Sequence, residues 1–544
     1  MTTTTRPTVS TDLTGLPYTS QRSPVMAVNG VVATSQPLAA QAGLSMLQQG
    51  GSAVDAALAT AIALTVVEPT SNGIGGDVFS LIWDGSQLHG INGSGRAPAA
   101  TTAAAIRADG HTDMPNRGWW PVTVPGAPRA WADLHARFGK LPFEKLFEPA
   151  INYARHGYFV SPIISKLWSS AANNQFAGLT SPEFRGWFET FTPSGRPPAA
   201  GERWSSEGHA STLEQIAASN SRAFYEGALA QKIAAFAAET GGPMTVDDLA
   251  AHTSTWVEPI RTTYRGYEVA EIPPNGQGIA ALIGLNIMEG FDLGSLPRES
   301  LEAYHLQLEA LKLSLADAIA YVADMDQVHV PVKELLDKEY ASQRQSLIGE
   351  RAIRPTAGKP KAGGTIYLCA ADADGMMVSY IQSNYQGFGS GVVVPGTGIS
   401  MHNRGYGFTL EDGHPNQVAP RKRPFHTIIP GFLLKDGQAV GPFGVMGGFM
   451  QAQGHMQMVI NTVDYGMNPQ ASLDAPRWRW DGGMNVAVEP QTDPSIVAGL
   501  RARGHEVTVT ADGSYGRGQI IWKLPGGGYV AGSDKRADGC AAAY

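Results

Sequence analysis

The sequence predicts a protein of the α+β class, with helices in the first two thirds of the chain and strands in the last third. Residues 119–350 carry apolar side chains at helical spacing, most clearly at Leu308, Leu311 and Leu315. After Thr365, short β-branched and apolar runs alternate with Gly and Asp turns, which is the pattern of strands. A basic segment rich in proline and glycine, residues 351–364, separates the two parts. Helices and strands from different parts of a chain are typical of α+β folds.

Length and composition describe an ordinary globular chain. Its 544 residues allow two domains or one large domain. They are 43% hydrophobic and 16% charged, and the net charge of −8 gives no reason to expect nucleic acid or an acidic membrane as a partner. Two cysteines, Cys369 and Cys540, are too few for a disulfide framework, so we expect both to be reduced core thiols.

The sequence predicts no metal, no cofactor and no secretory signal. The 13 histidines are scattered, without the spacing of a metal-ligand cluster. The glycine-rich residues 72–76 precede a strand instead of opening a helix, so we interpret them as a tight backbone crossing and not as a phosphate loop. The first 24 residues lack the apolar core of a signal peptide, and we therefore expect a cytoplasmic protein.

Several local elements can be assigned from the pattern alone. Residues 52–67 are apolar on nearly every face and predict a buried helix, and residues 451–463 have helical spacing. The run that begins at Thr365 is followed by the turn signal Asp374-Gly375 and by a returning strand over residues 376–383, which predicts a hairpin. Residues 435–437 predict a second hairpin turn.

The junction Gly363-Gly364-Thr365 suits a peptide bond that cuts itself. Glycine permits the strained backbone that a hydroxyl attack needs. Attack of the Thr365 hydroxyl on the Gly364 carbonyl would give an ester, and water would then free Thr365 as a new N-terminus. An α-amino group has a pKa of about 7.7–8.0, so it can serve as base for its own hydroxyl. An ordinary hairpin after an ordinary loop would explain the same residues.

Five further short sequence motifs accompany this junction along the chain. They are Gly50-Gly-Ser-Ala-Val-Asp-Ala-Ala57, Val67-Glu-Pro-Thr-Ser-Asn-Gly-Ile-Gly-Gly76, Pro273-Pro-Asn-Gly-Gln-Gly278, Lys422-Arg-Pro424 and Gly447-Gly448. With them, the chain from Gly30 onward resembles the γ-glutamyltransferase family of self-processing N-terminal-nucleophile hydrolases. The resemblance implies a four-layer αββα sandwich. It also implies a precursor cut into a large chain (1–364) and a small chain (365–544) that stay associated.

The resemblance assigns catalytic roles around the implied cleavage site, the bond between Gly364 and Thr365. Thr365 would be both nucleophile and base. The backbone N–H groups of Gly447 and Gly448 match the oxyanion hole of the family, where glycine leaves the donors unobstructed. Ser383 falls where relatives place a threonine that hydrogen-bonds the nucleophile, so we expect it to orient Thr365.

The predicted substrate pocket departs from the γ-glutamyl pattern. Relatives hold the substrate α-amino group with amide and acidic side chains, and this chain has Tyr385, Arg404 and Gly407 at those positions. Two serines of the relatives are replaced by His426 and Thr427. Arg404 in place of a carboxylate would repel an ammonium group and attract an anion.

A second arginine, Arg96, is also a candidate substrate ligand. In γ-glutamyl-specific relatives an arginine two places earlier binds the substrate α-carboxylate, and this chain has Ser94 there. Arg96 either takes over that role or belongs to a solvated turn. The motifs at residues 93–98 and 450–455 resemble those of the oxamate amidohydrolase-like branch of the family.

These features predict an amidohydrolase that cleaves a small carboxylated, oxamate-like amide through an acyl-enzyme. The segment between Gly407 and His426 looks short for a pocket lid, and a wetter pocket favours water as the acyl acceptor. The predicted partner is thus a small-molecule amide, and a homodimer is left open. The alternatives are a true γ-glutamyl hydrolase or transferase, a relative that cleaves a C–C bond, and an unprocessed, non-catalytic binding protein.

Overall fold

The computed structural model describes residues 22–355, 364–511 and 513–544. In chain order its strands are β1 (Val25–Ala27), β2 (Val31–Thr34), β3 (Asp77–Trp83), β4 (Leu88–Gly93), β5 (Tyr158–Phe159), β6 (Arg203–Trp204), β7 (Thr255–Val257), β8 (Ile260–Tyr264), β9 (Tyr267–Glu271), β10 (Gly364–Ala371), β11 (Met377–Tyr385), β12 (Val393–Val394), β13 (Ile399–Ser400), β14 (Gly431–Lys435), β15 (Gln438–Met446), β16 (Trp478–Gly482), β17 (Asn485–Val488), β18 (Glu506–Val509), β19 (Arg517–Lys523), β20 (Tyr529–Ser533) and β21 (Cys540–Ala543).

The α-helices of the same residues are α1 (Pro37–Gln48), α2 (Ala53–Val67), α3 (Ala103–Ala108), α4 (Ala127–Phe138), α5 (Glu148–His156), α6 (Pro162–Ser170), α7 (Arg185–Phe191), α8 (Glu207–Ala218), α9 (Arg222–Tyr225), α10 (Ala228–Glu239), α11 (Val246–Ala250), α12 (Gly278–Met288), α13 (Leu301–Tyr321), α14 (Val332–Leu335), α15 (Lys338–Gln345), α16 (Met450–Val463), α17 (Pro469–Asp474) and α18 (Pro494–Ala502). Short 3-10 turns lie at Phe143–Phe147, Pro182–Phe184, Leu293–Ser295 and Arg404–Gly407, and one π-helical turn lies at Ala171–Gln175.

Two seven-stranded sheets form the centre of the described structure. One has the order β1-β20-β19-β15-β14-β9-β8, and the other has the order β21-β2-β10-β11-β3-β4-β7. Both sheets contain strands from before and from after residue 364. The Thr365 hairpin, β10 and β11, lies in the middle of the second sheet, where neighbouring strands cover both of its edges.

The two sheets pack face to face between two helical layers. Alternate residues of β10 show this arrangement, because Tyr367 and Cys369 belong to the core between the sheets. Ile366 and Leu368 belong instead to the core shared with α1 and α2. On the far side, α12 and α16 pack on the first sheet, and α13 packs on α12. The architecture is the predicted four-layer αββα sandwich.

Most local predictions are confirmed by the structure. The buried helix is α2, which begins after the capping residue Ser52, and the helix predicted near residue 451 is α16. Gly75 crosses close to the backbone of Ser400, so residues 72–76 form the expected tight crossing. Residues 119–350 are mostly helical, but they also contribute β7, β8 and β9, which the pattern did not reveal.

Two predictions need correction or lie outside the described part. Cys369 and Cys540 are both free, but only Cys369 is buried; Cys540 is partly exposed in β21. Within the described residues, no helix combines the length and apolarity needed to cross a bilayer. The predicted basic loop lies partly outside the description, because residues 356–363, including Gly363, are not described.

Candidate active site

Thr365 is placed at an irregularity near the start of a central strand. Gly364 pairs with Tyr385 and Ile366 pairs with Gln382, so the register shifts across the intervening threonine. Thr365 thus lies opposite two residues of β11, Ser383 and Asn384, and a bulge of this kind in β11 disrupts the regular ladder beside the threonine. Thr365 is buried. The strand thus presents the hydroxyl within the protein, at the junction predicted for cleavage.

Among the contacts of the Thr365 hydroxyl are the side chains of Ser383 and Gln451. The Oγ atoms of Thr365 and Ser383 are 3.2 Å apart, as the prediction for Ser383 requires. Gln451, in the first turn of α16, donates from Nε2 to Thr365 Oγ1 over 3.2 Å, and its Oε1 accepts from the N–H of Ile429 at 3.0 Å. Both contacts fix the position of the hydroxyl relative to the sheet and to the start of α16.

The predicted glycine pair lies between β15 and α16. Gly447 has φ 131° and Gly448 has φ 63°, which are conformations that favour glycine. Among the described residues, neither backbone N–H donates to a protein oxygen. The Gly448 carbonyl accepts from Gln277 Nε2 at 2.9 Å. Two unused donors at the positive end of a helix, one turn from Gln451, are suited to stabilise a developing oxyanion.

Arg404 is the cation of this site, and it is fully buried. Its Nη2 donates to Ser383 Oγ at 3.2 Å, and its Nη1 donates to Thr427 Oγ1 at 2.8 Å. The guanidinium carbon lies 4.1 Å from the centre of the Tyr385 ring. The structure therefore brings Ser383, Tyr385 and Thr427 together around the arginine, next to Thr365.

Within the described ranges, the charge of Arg404 has no direct counter-ion. Burial lowers its pKa to about 10, so the guanidinium is still protonated near neutral pH. Among the described residues, no carboxylate lies within 4.0 Å of it. Its buried Nε also has no hydrogen-bond partner there. A buried cation of this kind is costly unless something compensates for it, so the site is suited to receive an anion.

His426 lies beside this arginine but faces a different partner. Its Nε2 is 3.2 Å from Asp77 Oδ2, and the N–H of Ile428 donates to its Nδ1 at 3.3 Å. Burial lowers the pKa of His426 to about 3, so the ring is neutral and donates to Asp77. The predicted substrate role of His426 is not tested by these contacts and stays a prediction.

Arg96 lies apart from the residues around Thr365. Its guanidinium pairs with Asp324 at 3.0 Å and with Asp326 at 2.5 Å. It lines a cavity of about 400 Å³ together with Arg421. Its side chain contacts none of the described residues that surround Thr365. The carboxylates of Asp324 and Asp326 already balance the charge of Arg96. Its role in binding a substrate carboxylate stays a prediction.

The structure brings together three potential metal ligands that the sequence pattern did not reveal. His305, Glu309 and His505 are all buried, with ligand atoms within 4.8 Å of one another. His305 and Glu309 are one turn apart on α13, whereas His505 comes from the far end of the chain. Lys312 Nζ lies 2.6 Å from Glu309 Oε1. Because this ammonium already balances the carboxylate charge, the cluster needs no cation, and it lies outside the site of Thr365.

Other residues of the site were also missed from the sequence. Gln451 and Gln277 lie in blocks that were used only as evidence of resemblance to the family. Asp77 directly follows the glycine-rich crossing at residues 72–76. Each of them contacts a site residue that is distant in sequence. Asp77, for example, contacts His426, which is 349 positions away. No periodic pattern links such residues. The only available signal was their presence within the glycine-containing blocks.

A threonine hydroxyl at the head of a central strand, inside a four-layer αββα sandwich, defines the class of N-terminal-nucleophile hydrolases. Comparisons with known proteins then identify the family. The model of a family described as gamma-glutamyltranspeptidase matches residues 39–544. The chain belongs to the γ-glutamyltranspeptidase family, as its motifs predicted, and it is an enzyme.

Three similar proteins illustrate the range of this family. The chain is 37% identical over 527 residues to the glutathione hydrolase-like YwrD proenzyme of Bacillus subtilis (strain 168), covering 95% of this chain and 99% of that one. It is 32% identical over 537 residues to the oxamate amidohydrolase proenzyme of Klebsiella pneumoniae, covering 95% and 99%. The crystal structure of a cephalosporin acylase from Bacillus halodurans is 53% identical, with a TM-score of 0.94 and coverage of 98% and 99%.

Proposed function

We propose that the protein is a self-processing amidohydrolase that cleaves the amide bond of a small carboxylated compound, with Thr365 as nucleophile. The observation that carries the proposal is the buried guanidinium of Arg404, which has no carboxylate within 4.0 Å among the described residues. It lies one side chain away from the Thr365 hydroxyl, through Ser383. An anionic substrate would supply a direct counter-charge next to the nucleophile.

Processing is the first step of the proposed mechanism. The Thr365 hydroxyl attacks the Gly364 carbonyl, the C–N bond breaks, and the α-amino group of Thr365 leaves with a proton. Water then hydrolyses the resulting ester, giving a large chain (1–364) and a small chain (365–544). The two relatives described as proenzymes support this step by likeness. The bulge in β11 opposite Thr365 supports it by geometry, because it disrupts the regular ladder beside the bond to be cut.

Turnover uses the same hydroxyl with a new base. The freed α-amino group takes the Thr365 proton as Oγ attacks the substrate carbonyl. The N–H groups of Gly447 and Gly448 stabilise the oxyanion, and losing one such donor typically costs on the order of 10²–10³ in rate. The amine or ammonia leaves with the proton, and water hydrolyses the acyl-enzyme. Ser383 and Gln451 keep the hydroxyl in place.

Arg404 is the proposed anchor for the substrate carboxylate. Arginine carries five N–H donors in a rigid fork, which suits two-point binding of a carboxylate. Ser383 and Thr427 each accept from one terminal nitrogen, which leaves further donors, Nε–H among them, for a ligand. A γ-glutamyl group would instead bring an ammonium into this pocket, where the guanidinium would repel it.

Two other substrates are kept as candidates because of specific likenesses. One relative is described as glutathione hydrolase-like, which favours a γ-glutamyl compound. The structure with 53% identity is a cephalosporin acylase, which favours a larger amide with an acyl side chain. An unprocessed binding protein is the remaining alternative, and a denaturing gel distinguishes it, since it would show one band of 57.6 kDa.

The test compares substrates that differ in charge. Oxamate, neutral oxamide, γ-glutamyl-anilide and a cephalosporin are supplied to the processed enzyme, and ammonia, aniline or free amine is measured. We expect oxamate to be preferred. A charged hydrogen bond contributes about 1.5–3 kcal/mol, so Arg404→Ala should lower kcat/KM for oxamate by about tenfold to a hundredfold.

A matched variant and a contrary outcome complete this test. Arg404→Lys keeps the charge but loses the fork, so it should fall between wild type and Arg404→Ala. If γ-glutamyl-anilide proves the better substrate and Arg404→Ala leaves turnover unchanged, the anion pocket is wrong. The transferase or γ-glutamyl hydrolase interpretation would then replace it.

A further inference from the structure

Asp77 is a fully buried carboxylate beneath the proposed anion pocket. It is the first residue of β3 and pairs directly with Ser383 of β11. Residues paired in this way have side chains on the same face of the sheet, with Cβ atoms about 4.5–5.5 Å apart. Asp77 therefore lies beside the serine that contacts both Thr365 and Arg404.

Among the described residues, four groups contact or approach the Asp77 carboxylate. Its Oδ1 accepts from the backbone N–H groups of Gly95 at 3.3 Å and Gly126 at 3.2 Å. Its Oδ2 accepts from His426 at 3.2 Å and lies 3.6 Å from Nδ1 of His402. Burial alone would raise the pKa of Asp77, but the neighbouring histidines and the more distant Arg404 hold that pKa at about 2. The carboxylate is ionised at neutral pH.

The histidines do not cancel this charge. His426 donates to Asp77 as a neutral ring, because its other nitrogen accepts from the Ile428 N–H. His402 places Nε2 at 2.9 Å from the Thr123 carbonyl, which requires the proton on Nε2, and burial lowers the pKa of His402. Arg404 is a full positive charge that acts on this cluster, and it reaches the cluster through Ser383 and through Thr427, the neighbour of His426.

We propose that Asp77 is the remote counter-charge of Arg404 and sets how strongly the site prefers an anionic substrate over a neutral one. The inference rests on the proposed carboxylate pocket. The two charges do not form an ion pair, because no carboxylate lies within 4.0 Å of Arg404 among the described residues. Both groups are buried, however, and Arg404 contributes to the low pKa of Asp77, so the two charges interact. Asp77 stabilises Arg404 in the free enzyme and repels a second anion. Arg404 therefore favours binding of an anionic substrate, and Asp77 disfavours it.

The substrate test uses oxamate and oxamide, which differ in charge at a similar size. Asp77→Asn keeps the shape of the side chain and removes the charge. We expect it to raise the kcat/KM ratio of oxamate to oxamide by about tenfold, mainly through a lower KM for oxamate. Arg404→Gln should lower the same ratio. Asp534→Asn, which removes a buried carboxylate paired with Arg477 elsewhere, should leave the ratio unchanged.

A second measurement needs no substrate and keeps the inference separable from the proposed function. Asp77→Asn, Arg404→Gln and the double variant are made in the Thr365→Ala background, so that all proteins are uncut, and their unfolding free energies are compared. Coupled charges predict that the double variant loses much less stability than the sum of the two single variants. Additive losses would overturn the inference whatever the substrate proves to be. The inference would also be overturned if Asp77→Asn lowered the kcat/KM ratio of oxamate to oxamide or left it unchanged. Coupling without oxamate hydrolysis would refute only the proposed substrate.

Discussion

Thr365 is the single residue from which both the proposed cut and the proposed turnover begin. Its hydroxyl is the only group of this residue that can attack a carbonyl before cleavage, so alanine at this position removes the reaction. We expect Thr365→Ala to remain one chain of 57.6 kDa and to release no ammonia from oxamate. A denaturing gel measures the first outcome. N-terminal sequencing of the smaller wild-type fragment should give Thr-Ile-Tyr.

A serine at the same position provides the control for Thr365. Thr365→Ser keeps the hydroxyl and loses only the methyl group, so it should still cut, more slowly, and give a small chain that begins Ser-Ile-Tyr. Cleavage that persists in Thr365→Ala, or a wild-type fragment with another first residue, would contradict the assignment of the nucleophile.

Single residues of the site could be predicted where they lie in a recognisable block. Ser383, Arg404 and Thr427 were assigned from their places in the motifs, and the structure brings them into contact. Arg96 was chosen in the same way, but it pairs with Asp324 and Asp326, because sequence spacing says nothing about which carboxylates fold against it. The complementary charge at Asp77 could not be inferred, since its partners lie in other strands and loops.

Helix α16 is a single element that connects the proposed oxyanion donors with the proposed nucleophile. Gln451 in its first turn contacts Thr365, whereas Gln453, two residues on, bonds at both ends to the backbone of Trp480. A net hydrogen bond contributes about 0.5–1.5 kcal/mol, so Gln451→Leu should lower kcat by about threefold to tenfold. The rate of ammonia release from oxamate measures this effect.

Gln453→Leu is the matched control for this helix. It loses two buried hydrogen bonds of the same kind, so it should lower the melting temperature as Gln451→Leu does, while kcat changes little. If both variants lower kcat equally, Gln451 acts through the stability of α16 and not by orienting the hydroxyl.

Helices and strands could be predicted where the local amino-acid pattern determines them. The Thr365 hairpin needs only a β-branched run and a turn, and α2 needs only a capping serine and an apolar sequence. Strands β7, β8 and β9 are different, because they are short and interrupt a helical region. Two of their partners, β4 and β14, lie far away in sequence. β7 and β9 are stabilised largely by pairing with strands that are distant in sequence. A short stretch of sequence does not contain those partners, so it cannot predict the strands.

The whole molecule is organised so that the two proposed chains share both sheets. In the part of the chain that the structure describes, five strand pairs join residues before 364 to residues after it, namely β1 with β20, β2 with β10, β2 with β21, β3 with β11 and β9 with β14. The core between the sheets also draws side chains from both parts, such as Phe79 and Ile381. Cutting one bond at residue 364 would remove none of these contacts.

This interlocking predicts that processing leaves one folding unit. After cleavage, the two fragments should elute together in gel filtration at the volume of uncut Thr365→Ala, and the complex should unfold in a single transition. Separation should require denaturant, because pulling the small chain out would break central strand pairs in both sheets and expose the core between them. Fragments that separate in native buffer would contradict the interlocked arrangement. Two distinct unfolding transitions would instead show that the two parts form independent cores.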